Sequence, residues 1–347
     1  MDKTLLFLLG LIIIVVGIGF VVSKSNGVKT DDEMFKFYIS KYLSASATLD
    51  NYKIVSIQKI NDEEKTLIVE KVGNKYYVEL KTPYYSWILL KKERPTLCLR
   101  VGLYTACTQN FSLSTSAKVA GALEKVIIGP SFAKRQMKWF STLLDANAIK
   151  INKVEEEKDC TAFYFEYSYK NLTLAQLQSI GYNPSSPAVS LVDKYYNMVC
   201  IDDYGIMRKK SSNYIFKGEN VTESFEIVEI KELDKLDEVK GIIDDAYFAT
   251  LTLRLQKLVS FLNSDNMSDL SIRSLAAEIK VPQLCELSKD KMTCVDAYMT
   301  VTGDPRVCDI LEDKDRDNCY LKAGKTIDIY FCNFIADQHI KQICLSQ

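Results

Sequence analysis

Ten cysteines and one histidine bound the chemistry open to this chain of 347 residues. His339, the single imidazole, leaves no room for His-rich metal sites and makes Ser–His or Cys–His pairs rest on one residue. The cysteines stand at positions 98, 107, 160, 200, 285, 294, 308, 319, 332 and 344. Zinc ligand pairs sit two to four residues apart, whereas the nearest pair here has eight residues between its members, and no CxxC occurs. An even number of widely spaced thiols reads as a disulfide set formed in an oxidising compartment. There is no glycine-rich phosphate loop, no GxSxG and no HExxH, so the chain reads as a non-enzymatic protein with no cofactor and no metal. A net charge of −1 with no basic block argues against a nucleic-acid partner.

Six of the cysteines repeat. "VPQLCELSKDKMTC", "DPRVCDILEDKDRDNC" and "IYFCNFIADQHIKQIC" align as three copies of one unit, with first cysteines at 285, 308 and 332 and second cysteines at 294, 319 and 344. A spacing of 23–25 residues suits stacked supersecondary units. Pro282 and Pro305 lie three residues before their cysteines, and Asp304–Pro305 is a helix cap followed by a first-turn proline. An aspartate follows each first cysteine by five residues (Asp290, Asp313, Asp337), at the place for the cap of a second helix. Each unit is therefore expected to be a short helical hairpin, too small for a core of its own. One disulfide per unit is the expected pairing: Cys285–Cys294, Cys308–Cys319 and Cys332–Cys344. Pairing across units, as Cys294–Cys308 and Cys319–Cys332, is the alternative. "EDKDRD" alternates sign, unlike a calcium loop, and reads as a solvated hairpin tip, with His339 a surface residue.

The elements that must carry these residues differ along the chain. Residues 31–47 place Met34, Tyr38, Tyr42 and Phe35, Ile39, Leu43 at helical spacing. From Tyr52 to Asn110, six β-rich runs ("YKIVSIQKI", "KTLIVEKV", "KYYVELK", "YYSWILLKK", "TLCLRV", "YTACTQ") alternate with turn residues and predict an antiparallel meander. Cys98 and Cys107 fall on consecutive strands and fit a hairpin staple. Cys160 opens "CTAFYFEYSYK" and Cys200 closes "KYYNMVC", two strands that a second disulfide could join. Residues 116–127, 132–146, 173–181, 249–262 and 267–279 read as helices. In "KYYVELKTPYYSWILL", Tyr77, Tyr85 and Trp87 are candidates to line an apolar cavity, and the same aromatics equally suit ordinary strand packing.

The N-terminus carries an 18-residue uncharged run, Leu5 to Val22, which as a helix would reach about 27 Å and so could cross a bilayer. "VVSKSNG" is a poor cleavage site, so an uncleaved transmembrane anchor at residues 1–25 is expected in preference to a cleaved signal. With the disulfides, this places the chain after about residue 25 outside a cell membrane that it spans once. Sequons at Asn110, Asn171, Asn220 and Asn266 are candidate glycosylation sites.

The strand-rich middle, with "VCIDDYGIMRK" late in it and "ESFEIVEIKELDKLDEVKGIIDDAYFATL" closing it around Phe248, resembles the LolA-like half-barrel of lipoprotein carriers. It is similar in particular to membrane-anchored extracytoplasmic proteins of small-genome archaea. The resemblance covers about residues 34–248. It implies a curved antiparallel sheet capped by helices over a cavity for acyl chains or similar ligands, and it assigns no ligand residue in this sequence. The expected whole is an α+β protein: anchor at 1–25, half-barrel-like domain at 31–248, helical linker at 249–280 and three-unit cysteine-rich repeat at 281–347. The expected function is binding of a lipid or other hydrophobic ligand. The alternative is a cell-surface protein whose hairpin array contacts a protein partner.

Overall fold

The computed structural model describes residues 30–346, apart from 62, 112–113, 186, 240 and 265–266. The expected anchor at 1–25 and the sequon residue Asn266 lie outside the described residues. Among those described, no helix is long and apolar enough to cross a membrane.

Helix α1 (Asp31–Thr48) starts at a capping box: Glu33 N–H donates to the Thr30 hydroxyl and Thr30 N–H to the Glu33 carboxylate. Asp31, Asp32 and Glu33 face the positive end of the helix dipole. Phe35, Ile39, Tyr42 and Leu43 are its buried side, as their spacing of three and four residues requires.

Six strands follow as a meander: β1 (Tyr52–Ile60), β2 (Glu63–Val72), β3 (Lys75–Lys81), β4 (Tyr85–Lys91), β5 (Pro95–Val101) and β6 (Tyr104–Thr108). Helices α2 (Ser114–Glu124) and α3 (Pro130–Asp145) intervene before β7 (Ile149–Glu156) and β8 (Thr161–Tyr167). Two short helices, α4 (Leu174–Ser179) and α5 (Pro187–Ser190), precede β9 (Tyr195–Ile201), β10 (Met207–Phe216) and β11 (Glu219–Glu232). A two-residue strand β12 (Ile242–Ile243) then leads into α6 (Asp245–Leu262) and α7 (Asp269–Ile279). All twelve strands form one open sheet in the order β12-β6-β5-β4-β3-β2-β1-β11-β10-β9-β8-β7. The pairing of β1 with β11 joins the two meanders, and β12 alone runs parallel to its neighbour, β6. Bulges at Val55/Ser56, Met207/Lys209 and Ile151/Lys153 bend the strands, and the sheet is curved as well as twisted.

Register assigns each side chain to a face. Ile54 opposes Ile230, Ser56 opposes Ile227, and Lys210 opposes both Phe225 and Val199, so these residues share one inner face. All the larger helices pack there, in two cores. One joins β1–β6 to α2, α6 and α7 through residues such as Val78, Trp87, Leu97 and Leu99 meeting Leu123, Phe248 and Leu251. The other joins β8 and β9 to α1 and α3 through Phe35, Phe140, Leu143, Phe163 and Phe165. Phe35 is fully buried, with the rings of Phe163 and Phe165 centred 5.6 and 5.2 Å away. On the outer face a smaller cluster, Tyr77, Ile88, Cys98 and Cys107, lies under Leu236 and Val239 of the segment before β12. Gly241 has to be glycine there, because a Cβ would stand 2.7 Å from the Cys107 sulfur.

Five disulfides are present: Cys98–Cys107, Cys160–Cys200, Cys285–Cys294, Cys308–Cys319 and Cys332–Cys344. The three repeats thus pair within units and not across them. Each unit departs from the expected hairpin in its first arm, which is a six-residue 3₁₀ turn (Pro282–Leu287, Pro305–Ile310, Ile329–Phe334). Each turn closes with a backbone N–H three residues on donating to the first cysteine's carbonyl. The second arms are α8 (Lys291–Thr302), α9 (Asp313–Thr326) and α10 (Gln338–Leu345). Asp290 and Asp337 cap α8 and α10 as expected, but Asp313 does not cap α9. Glu312 occupies that place without a side-chain bond, and Asp313 is the first helical residue, held at φ 43°.

The charged run in α9 is also less solvated than its composition suggests. Asp317 is 4 % exposed, and its carboxylate accepts from Ala336 N–H at 2.9 Å and Asp337 N–H at 2.8 Å. Arg316 donates to the Phe334 carbonyl. The end of "DKDRD" is therefore the tie between the second and third units. Charge-assisted bonds of this kind contribute about 1.5–3 kcal/mol each, and removing the acceptor strands two part-buried donors. Asp317→Ala is accordingly expected to lower the thermal midpoint by several degrees and to speed proteolysis after residue 327. Equal midpoints and cleavage rates for variant and parent would refute the role given to this carboxylate.

The array is not a free appendage. Val281, Leu284, Val295, Tyr298 and Val307 belong to the same core as the β1–β6 inner face. Gly102, at φ 56° in the β5–β6 turn, meets it so closely that a Cβ would lie 2.5 Å from the Lys280 carbonyl oxygen.

Candidate functional site

The candidate cavity residues do not share one face. Trp87 and Tyr85 point inward, but Trp87 packs on Phe248 at 6.1 Å between ring centroids, inside a core already filled by α6. Tyr77 is on the outer face, since β3 pairs it with Leu90, and its hydroxyl donates to Glu79 at 2.5 Å. The expectation that alternate aromatics would line one cavity assumed a common face. The turn between β3 and β4 shifts parity, so Tyr77 and Trp87 part company.

Between the two cores the inner face is least covered on β10, β11 and the end of β1, at Lys210, Glu223, Phe225, Ile227 and Gln58, while the neighbouring inner residues of β9 are buried. Asn197 opposes Ser212, which opposes Glu223, and Lys210 opposes Phe225, which opposes Gln58. By strand alternation all of these side chains stand on the helix-bearing side. Phe225 and Ile227 are half-buried and give the strip an apolar floor. Lys210 is solvent-exposed yet walled in by protein, the situation of a side chain inside a trough. Those surroundings push its ammonium pKa down, against the opposing pull of Glu223. Glu223 accepts from the Tyr214 hydroxyl at 2.6 Å, and burial followed by this bond pushes the Tyr214 pKa up. Tyr195, its ring tilted against that of Tyr214 with centroids 4.9 Å apart, is raised to about 12, mainly by burial. Asn197 is 6 % exposed, and its amide nitrogen has no hydrogen-bond partner among the described residues. A buried amide without a partner costs about 1–3 kcal/mol, so it marks a place where a ligand group or water belongs.

Two other side chains, Arg254 and Gln283, each keep one buried polar atom without a hydrogen-bond partner among the described residues, and the Arg254 guanidinium lies over the Tyr104 ring instead. Glu157 lies near the sulfurs of Cys160 and Cys200, but those are joined and offer no thiolate to a metal. A recess of about 500 Å³ between Gln109, Asn110 and residues 243–246 opens at the head of α6, where Asp244 is already the helix cap. The sequon residues Asn110, Asn171 and Asn220 are exposed, as is His339. On the last repeat, Ile329, Tyr330 and Phe334 are 51 %, 59 % and 44 % exposed, with Phe334 stacked on Tyr320 at 5.4 Å.

No protein-family model and no curated protein matches this sequence. Among solved structures the chain is similar to Mycobacterium tuberculosis lipoprotein LppX, at 7 % identity, TM-score 0.31, covering 58 % of this chain and 97 % of that one. It is also similar to MucB in the Pseudomonas aeruginosa MucA/MucB complex, at 12 % identity, TM-score 0.28 and 58 % of each chain. A DUF1329 family protein from Desulfovibrio piger follows at 9 % identity and TM-score 0.23, covering 61 % and 96 %. Likeness of this degree concerns the arrangement of the sheet and assigns neither ligand nor partner to this chain.

Lys210, Asn197, Ser212 and Glu223 do not stand out in the sequence. "IMRKKSSNYIF" reads as a polar strand on its own, and only the pairing of β10 with β9 and β11 gathers its alternate residues into a site.

Proposed function

We propose that this protein is a non-enzymatic, membrane-anchored, extracytoplasmic binding protein that holds a hydrophobic ligand in the trough along β9, β10, β11 and β1. The observation that carries the reading is the strip of inner face left between two filled cores, with an apolar floor and an unpartnered buried amide at Asn197. Pockets that take small molecules combine apolar walls with a few placed polar groups, and this strip does. Five disulfides support an oxidising compartment, and the uncharged run at Leu5–Val22 supports the anchor.

The test is extraction of lipid from full-length protein, compared with a control fusion carrying only residues 1–30. The protein is expected to retain about one lipid per chain beyond the control, and Phe225→Arg is expected to abolish the excess. Equal retention by protein and control would overturn the proposal. A second reading, an interaction protein using the array, is favoured by the exposed Ile329, Tyr330 and Phe334, three large apolar side chains grouped on the third repeat. Loss of a co-purifying protein on Tyr330→Asp/Phe334→Asp, with lipid retention unchanged, would identify that role.

A further inference from the structure

We propose that the trough selects a zwitterionic lipid, with the ligand's anionic group beside Lys210 and its ammonium beside Glu223. This rests on the reading of the trough as a ligand site and adds the class of head group to it.

Two opposite charges stand in the trough without neutralising one another. Lys210 is on β10 and Glu223 on β11, one residue pair apart on the same inner face, since Ser212 opposes Glu223 and Lys210 opposes Phe225. Diagonal neighbours of this kind are within reach of long side chains. Yet among the described residues the Lys210 ammonium makes no hydrogen bond and no ion pair, although it feels the Glu223 charge. One oxygen of Glu223 is occupied by Tyr214 and the other has no partner among the described residues. Lys210 thus keeps three donors and Glu223 an acceptor oxygen, side by side over the half-buried Phe225.

Each simpler head group leaves one charge wrong. An anion alone would satisfy Lys210 and face the Glu223 carboxylate. An ammonium alone would do the reverse, and an uncharged head would cover both ions without pairing either. A head carrying a phosphate and a primary amine meets both, and its acyl chains run over Phe225 and Ile227. Asn197 and Ser212 stand in register with Glu223 but on β9 and β10, away from β11, and β10 is also the strand of Lys210. The Asn197 amide nitrogen is a buried donor without a partner that a phosphate between Lys210 and Ser212 would meet. The lowered pKa of Lys210 fits an ammonium whose counter-ion is the missing partner.

The experiment is competitive binding to full-length protein in detergent, using one fluorescent acyl-chain probe displaced by phosphatidylethanolamine, phosphatidylglycerol or diacylglycerol of equal chain length. Phosphatidylethanolamine is expected to compete about tenfold better than either of the others. Lys210→Met is expected to remove its advantage over diacylglycerol, and Glu223→Gln its advantage over phosphatidylglycerol. Lys210 is exposed, so its substitution leaves folding intact, and retained far-ultraviolet dichroism checks this for both variants. Equal competition by all three lipids, or a preference for phosphatidylglycerol that survives Glu223→Gln, would overturn the head-group assignment while leaving the trough in place. Failure of every lipid to displace the probe, or no probe binding at all, would instead remove the trough reading on which it stands.

Discussion

Replacing Cys308 and Cys319 together by alanine is expected to release the second and third repeats as one unit, while the first repeat and the sheet stay folded. The bond closes a short loop, Cys308 to Cys319, and loop closure of this length contributes about 3 kcal/mol on the chain-entropy account. The two residues are also 0 % and 2 % exposed, so their truncation removes packing as well. The third repeat follows because it leans on the second. A Cβ on Gly324 of α9 would stand 2.5 Å from the Cys344 sulfur and 2.6 Å from that of Cys332, so helix and neighbouring disulfide are in direct contact. Asp317 ties the same two units through backbone donors. Hydrogen exchange read by mass spectrometry is expected to show residues 313–345 exchanging together, with β3–β5 still protected. Protection of 313–345 equal to that of the parent would sink this account of the array.

Phe248→Ala is expected to cost about 3–5 kcal/mol, the range for truncating a buried aromatic. Phe248 is 2 % exposed and opens the apolar side of α6, followed by Leu251, Leu255 and Leu258. It meets Trp87 on the sheet, and the same core continues into Val281, Leu284 and Tyr298 of the first repeat. The substitution should therefore loosen sheet and array at once. The readout is the emission of Trp87, isolated by replacing the other tryptophan, Trp139, with phenylalanine. A red-shifted native spectrum and a lower urea midpoint are expected. An unshifted spectrum with an unchanged midpoint would mean that α6 does not fill this face.

Much of this organisation is legible in local pattern. Apolar spacing marks α1 over residues 31–47, and alternation with turn residues marks β1 and β3 to the residue. The repeat units are legible because cysteine recurs at even intervals beside proline and aspartate. Where local signals are weak, the reading goes astray. A six-residue segment after Pro282 is too short to distinguish an α-turn from the 3₁₀ turn that forms. Asp313 has the right spacing for a cap, but Glu312 takes the place in the folded chain. Asp317 sits in a run of alternating charge, and nothing in that run says that two backbone donors of the next unit await it.

What the sequence determined by itself is the chemistry that this protein can use and the units from which it is built. The cysteine spacing, the lone histidine and the alternating strands are local facts, and local facts suffice for strands, caps and repeats. What only the tertiary structure decided is which surfaces remain open. The joining of β1 to β11 brings Gln58 beside Phe225 and Lys210 across more than half the sheet's connectivity, and the helices then fill the face on either side. Trp87, read from the sequence as a cavity residue, is buried by α6. Lys210, which no local signal in the sequence singles out, stands in the gap. Burial on a sheet depends on what packs over it, and that is a property of segments far apart in the chain.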